Sequence, residues 1–481
     1  MQLTVEVEAV AGSVKPRSSV GWVLASLALC MLLPSLGTSS ANVALPTLAE
    51  AFAASFQQVQ WVVLAYLLAT TTSIVGIGRL GDMVGRRRLL MAGVALFTAA
   101  SALCGVASSL WLLIAARAAQ GLGAAAMMAL TMAFVGDAVP KSKSGSAMGL
   151  LGTLSAVGTA LGPTLGGVLI ARFGWQAIFF VNVPLGVLAL VLAARHLPVD
   201  RRSSNARRPR FDHPGTLLLA LTLAAYALAM TIGRGRFGLF NLALLVAAAG
   251  CVALFVRIEA GAESPLIPLA RLRDPVLRAG LVMSALVSTV MMATLVVGPF
   301  HLARALGFAP ALVGLFMSAG PAIAALTGVP AGRGVDRFGA QHMTVGGLGA
   351  MVLGCLELSL SPASFGIAGY VIPSVVVTAG YALFQAANNT AIMAEVAADQ
   401  RGVVSGMLNL SRNLGLVTGA SAMGAVFAFA SHARDLSVAP PDAIALGMRV
   451  TFAVSAGLLA VALAVALSNR AASRPASRSN G

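Results

Sequence analysis

Gly78-Arg-Leu-Gly-Asp-Met-Val-Gly-Arg-Arg-Arg88 is the stretch from which the rest of the chain can be read. Gly78, Gly81 and Gly85 permit a tight turn and close helix contact. Asp82 is placed to pair with Arg79 or Arg86 and to lie near a helix start, where an anion is favoured. A helix-length apolar run precedes the stretch and another follows it. The segment therefore reads as a short polar loop between two membrane-spanning helices. Its plainer alternative is a basic loop with turn glycines.

Composition extends this reading to the whole chain. Of 481 residues, 58% are hydrophobic and 10% charged, with mean hydropathy +0.89. A soluble protein carries about 25% charged residues. Most of this chain has no water to face. A spanning helix needs about 20 apolar residues, and runs of that length predict fourteen spans, the second near 58–78, the fifth near 146–170, the tenth near 309–330 and the eleventh near 342–361. The run from Val20 is too long for a signal-peptide core and is taken as an uncleaved first helix. The fold class is an all-α integral membrane protein.

The net charge is +16, but the basic residues lie between apolar runs, with no basic face or RNA-binding motif, so no nucleic-acid partner is expected. The charge reads as topology instead. With both termini cytoplasmic, Lys and Arg favour the cytoplasmic segments by roughly four to one. The expected organisation is a tail over 1–19, a six-helix half over 20–196, a basic linker over 197–213, two extra helices over 214–257 and a loop over 258–277. A second six-helix half over 278–468 and a tail over 469–481 complete it. No extramembrane segment is large enough for a domain, which argues against receptors and membrane enzymes. Cys30, Cys104, Cys251 and Cys355 sit apart in apolar runs, without metal spacing, so neither a metal nor a cofactor is expected.

Three further patterns stand out. Arg117 lies about two turns inside the fourth span, where a charge costs about 2.5–3.5 kcal/mol on the lenient insertion scale. It should face a polar interior, with Gln120 on the same face, either as a structural charge or as part of the transport path. Gly158, Gly162 and Gly166 repeat every four residues in the fifth span and continue into Gly167, a stripe suited to close packing. Pro163 within it allows a kink. Finally, Gly332-Arg-Gly-Val-Asp336-Arg337-Phe-Gly339 after the tenth span echoes the Asp82 stretch, a weak internal repeat.

In this order, these segments closely resemble the major facilitator superfamily, and the Gly162-Pro163 stripe is similar to the signature of its antiporters. Asn42-Val-Ala-Leu-Pro46, Gln60-Trp61 with Tyr66, Trp175 to Gly186, Phe211-Asp212, Pro265 to Leu269 and Arg401 to Gly415 resemble its fourteen-span drug:proton antiporter branch. The resemblance covers roughly residues 20–470 and implies two six-helix halves, linked by two extra helices, that rock about a central site. It implies multidrug-type efflux of a small-molecule substrate across the plasma membrane, driven by the proton gradient, by a monomer surrounded by lipid. The Asp82 loop, with Asp336 and Arg337 as its echo, would latch one side. Arg117 would organise the interior. The glycine stripe would set packing between the halves. A uniporter, importer or non-proton-coupled exporter within the same superfamily is the alternative.

Candidate cavity residues come from polar stripes. Ser35, Thr38, Ser39 and Asn42 share one face of the first span. Trp61 and Tyr66 lie in the second, Gln385, Asn388 and Asn389 in the twelfth, and Asn409 and Arg412 in the thirteenth. Such stripes serve either interhelical hydrogen bonding or substrate contact. Members of the resembled branch usually carry Asp in the first span where this chain has Gly37. Glu357 is the acid well inside an assigned span, placed either to snorkel to water or to take part in coupling. Two interior arginines against at most one acid predict a preference for neutral or anionic substrates.

Overall fold

The structure is a computed structural model. It describes residues 20–138, 144–198, 213–232, 238–261, 269–361, 365–394, 396, 401–431 and 439–472. Most of the two expected tails and of the basic linker lies outside them.

Regular structure among the described residues is entirely helical. Sixteen α-helices follow one another: α1 (Val20–Ala51), α2 (Phe56–Val84), α3 (Arg86–Gly105), α4 (Leu110–Ala138), α5 (Ser144–Phe173), α6 (Ala177–Phe180), α7 (Asn182–His196), α8 (His213–Thr231), α9 (Leu239–Gly261), α10 (Pro275–Phe300), α11 (Pro310–Phe338), α12 (Ala340–Leu360), α13 (Ala368–Ala394), α14 (Arg401–Thr418), α15 (Gly424–Ala430) and α16 (Pro441–Ala472). Eleven stretches are long and apolar enough to cross a membrane, and Val157–Phe173 and Pro310–Ala324 are shorter apolar helices. The helices outnumber the expected spans because some rods are interrupted. Ala177–His196 forms one candidate span across the α6/α7 break, and Gly406–Ala430 forms one across a π turn at Gly419–Met423. Large apolar side chains cover the exterior, most densely on α9, where Leu239, Phe240, Leu242 and Val246 are all exposed. That is the surface of a multi-pass membrane protein.

Local chemistry fixes the boundaries. Asp274 caps α10: its Oδ1 accepts from the backbone N–H of Val276 at 2.8 Å, and Pro275 occupies the first turn. The stretch after the second span departs from expectation. It is not a loop. α2 continues through Gly78, Gly81 and Asp82 to Val84, and only Gly85, at φ +110°, breaks the helix. The echo behaves alike: α11 runs to Phe338, and Gly339, at φ +83°, turns the chain. A left-handed φ is strained for any residue with a Cβ, so one glycine suffices for each reversal. Gly81 alone of the first two glycines is needed for packing. A Cβ there would lie 2.5 Å from the Leu130 side chain, whereas one on Gly78 would meet nothing within 4 Å.

Two bundles result, α1–α7 and α10–α16, with matching internal neighbours. α1 packs on α5 as α10 packs on α14, and α3 on α4 as α12 on α13. The bundles meet through crossed pairs, α5 against α11 and α2 against α14. α8 leans on both α2 and α14, and α9 packs on α8. Leu218, Leu219, Leu223, Phe255 and Leu410 form the small apolar core of that attachment.

Candidate functional site

The seam between the bundles is tied at one end. At the end where α1 passes to α2, the halves are joined in several ways. Glu50 pairs with Arg304 across the seam. Phe56 meets the rings of Phe300 and Phe427 edge to face, at 4.8 Å and 5.4 Å between centroids. Gln60 Nε2 donates to the Ala420 carbonyl at 2.8 Å, inside the π turn that frees such a carbonyl. Gly167 and Gly314 bring α5 and α11 into backbone contact, since a Cβ on Gly167 would sit 3.0 Å from Gly314 Cα.

Toward the Gly85 end, a polar recess lies between α10, α13 and α14. Ser284, Ser288, Tyr381, Phe384, Gln385, Asn388, Asn389 and Arg412 line it. Asn388 is buried, and its Nδ2 donates to the Gly280 carbonyl at 3.3 Å. Arg412 supplies the positive charge and the amides supply donors and acceptors. The free space within it is no more than about one water molecule fills, so the recess is a narrow gap with polar side chains gathered around it.

The other half encloses Arg117. It is fully buried, at 0% exposure. Its Nε donates to the Val62 carbonyl at 2.9 Å, and its Nη1 donates to Gln120 Oε1 and, at 3.4 Å, to the Gly37 carbonyl. The guanidinium stacks over the Tyr66 ring at 4.3 Å from its centroid. Gln120 Nε2 donates to Ser101 Oγ at 2.7 Å. Tyr66 Oη donates to the Pro34 carbonyl at 3.2 Å.

Several sequence candidates thus come together: Arg117 with Gln120 and Tyr66, and Arg412 with Gln385, Asn388 and Asn389. Others go elsewhere. Ser35 and Ser39 face α5, Ser35 bonding Ser155 Oγ at 2.7 Å and Ser39 Oγ lying 3.3 Å from the Gly158 carbonyl. Thr38 and Asn42 bond back along α1, to the carbonyls of Pro34 and Thr38. Trp61 does not face the recess: its Nε1 donates to Thr231 on α8. Asn409 is half-buried on α14. Asp336 and Arg337 are exposed at the end of α11, Arg337 lying over the Phe338 ring. The side chains of Arg79 and Asp82 lie outside those described, and Arg86 packs its Cγ near Gly81.

One expectation is corrected. The glycine stripe splits between neighbours. Gly158, Gly162 and Gly166 pack on Leu32, Ser35, Ser39 and Ser40 of α1, within their own half, and only Gly167 and the Pro163 carbonyl reach α11. Helical residues four apart share a face, but residue 167 is 100° round from 166. The acids also sort by exposure, and Glu357 fits the alternative in which it snorkels. Glu357 is exposed on α12, while Glu259 on α9 is buried at 3%. Glu259 follows the buried Phe255 by four residues, and that period was the available signal.

A family model for the Major Facilitator Superfamily matches residues 27–420. The multidrug resistance protein Stp of Mycobacterium tuberculosis is 34% identical over 400 residues, covering 80% of this chain and 72% of Stp. The riboflavin transporter RibZ of Clostridioides difficile is 29% identical over 439 residues, covering 89% of this chain and 95% of RibZ. Among solved structures, a bacterial homologue of the human lysosomal transporter Spinster, inward-facing and unoccupied, superposes with TM-score 0.67 at 16% identity. That match covers 95% of this chain and 98% of the homologue.

Proposed function

The chain belongs to the major facilitator superfamily, and from that premise we propose that it exports small organic molecules from the cell by alternating access, coupled to proton influx. The observation that carries this reading is the closure of the seam at the Glu50 end. The Glu50 end is closed by an ion pair, three rings, the Gln60 amide on the Ala420 carbonyl and the Gly167–Gly314 backbone contact, while the polar recess inside the second bundle lies toward the Gly85 end. The arginines flanking Gly85 favour the cytoplasmic side for that end. The arrangement is then the one that takes cargo from the cytoplasm. Counted as continuous rods across the α6/α7 and α14/α15 breaks, the helices fit fourteen spans with both termini cytoplasmic.

The cargo is a neutral or anionic, multifunctional organic molecule rather than a lipophilic cation. Arg117 and Arg412 both project inward, and the buried acid among the described residues, Glu259, stands on the peripheral α9. Relatives named for multidrug resistance and for riboflavin transport fit such cargo. Gly37 favours a second reading, in which export proceeds without proton coupling through α1.

Purified protein in sealed vesicles tests both. Uptake of a flavin and of an aromatic carboxylate into inverted vesicles should exceed that of a quaternary ammonium dye, and an imposed pH gradient should accelerate it. Strong dye transport would overturn the cargo class. Transport indifferent to the pH gradient would select the uncoupled reading.

A further inference from the structure

A cavity separate from the Arg412 recess lies at the Glu50 end of the second bundle. It encloses about 20 Å³ between a π turn at His301–Ala305, the turn from α12 to α13, and α16. One water needs about 10–15 Å³, so the space admits a water or a monatomic ion. Its polar lining is His301, Ser361 and Arg449, with Gly366, Gly369 and Met448 completing the walls. Ser361 and Gly366 are half-buried, so the cavity reaches the surface at the α12–α13 turn. A Cβ on Gly369 would collide with Ser361 Oγ, so glycine there seats this hydroxyl against the first turn of α13.

The three polar side chains lack partners among the described residues. Neither ring nitrogen of His301 makes a hydrogen bond to one of them, and Nδ1 is enclosed. The Ser361 hydroxyl and the Arg449 guanidinium make no hydrogen bond or ion pair with a described residue. Elsewhere in this bundle hydroxyls are satisfied: Ser374, Ser431, Thr451 and Ser455 each donate to a carbonyl of their own helix. Three unsatisfied groups around one cavity mark a missing ligand. Its charge follows from the donors. A guanidinium only donates, and a neutral imidazole and a hydroxyl each offer one proton. The first turn of α13 adds the positive end of a helix. No acid is among the described lining residues: Glu357 on α12 and Asp442 on α16 are exposed, and Glu50 is engaged by Arg304.

We propose that His301, Ser361 and Arg449 form a binding site for a halide ion at the Glu50 end of the second bundle. The ion accepts a charge-assisted bond from the guanidinium and ordinary ones from the imidazole N–H and the hydroxyl. Arg449 lies close enough for its charge to act on the imidazole, and the ion neutralises that half-buried cation. The π turn that bears His301 also bears Arg304. An ion held here braces the turn from which the ion pair across the seam is made.

The test needs no transport measurement, so its outcome is independent of the export reading. The thermal unfolding midpoint of the purified full chain in detergent is measured at constant ionic strength in chloride or gluconate, gluconate being too bulky for the cavity. Chloride should raise the midpoint saturably over gluconate, and radiolabelled chloride should bind in equilibrium dialysis. Arg449→Gln should abolish both effects. Ser361→Ala, which leaves both ring and guanidinium in place, should weaken chloride binding several-fold and keeps the test decisive if Arg449→Gln fails to fold. Arg337→Gln, at the opposite end of α11, should retain both effects. Equal midpoints with no chloride bound, the result for a cavity that holds only water, would overturn the proposal. So would a shift and binding that persist in both Arg449→Gln and Ser361→Ala, or that are lost equally in Arg337→Gln.

Discussion

The two halves share a scaffold and differ in what they enclose. In one, a Cβ on Gly123 would lie 2.7 Å from the Gly93 carbonyl oxygen and 2.7 Å from Phe97 N. In the other, a Cβ on Gly380 would lie 2.6 Å from the Gly347 carbonyl oxygen and 3.0 Å from Met351 N. The helix crossings α3/α4 and α12/α13 are the same contact made twice, and Gly85 and Gly339 reverse the chain at matching places. The polar interiors do not match. Arg117 is sealed among neutral partners, whereas Arg412 borders a recess with serines and amides. Backbone contacts through glycine tolerate divergence of the side chains around them. One half can therefore bury a charge while the other gathers polar side chains around a recess.

This contrast can be broken most sharply at its arginines. Arg117→Ala leaves two carbonyls and an amide oxygen without their charged donor, so vesicle transport should fall by more than about 100-fold while the protein still inserts. Arg412→Ala, at the half-buried border of the recess, should cost less and act mainly on apparent affinity. Comparable losses in both would show that the halves divide the work equally. Next in size, Gly123→Val and Gly380→Val should each destabilise by about 1–3 kcal/mol or more, because the clash is with backbone. Matched drops in unfolding midpoint would sharpen the equivalence of the two crossings, and a drop in one alone would refute it.

Smaller effects probe the seam. Asn388→Ala removes one hydrogen bond in the recess, so affinity for cargo should weaken by about 2- to 10-fold, with turnover retained, in a vesicle uptake titration. Glu50→Gln breaks an ion pair that is largely exposed on the acid's side, at 61%. Such pairs contribute about 0.2–1 kcal/mol. The accessibility of a cysteine placed near Phe56 should therefore rise a few-fold, and added salt should produce the same change in the unmutated protein.

Much of the scaffold was legible beforehand. The apolar runs, the interior placement of Arg117 and the echo of Asp82 in Asp336 follow from local pattern, because burial in lipid acts on each helix separately. The site was legible only in part. Gln385, Asn388 and Asn389 came to one recess with Arg412, but Ser284, Ser288 and Tyr381 carried no pattern that marked them. Gln60 gave no sign that its amide crosses to Ala420, since that bond depends on a π turn 360 residues away.

The sequence by itself determined an all-helical membrane chain, the repeated half and the family to which it belongs, because hydropathy and helical period are local properties. The tertiary structure decided what each helix face meets. It turned Trp61 toward Thr231, divided the glycine stripe between α1 and α11, exposed Glu357 and buried Glu259. A helix presents different neighbours every 100° of rotation, and those neighbours come from parts of the chain that local pattern cannot bring together.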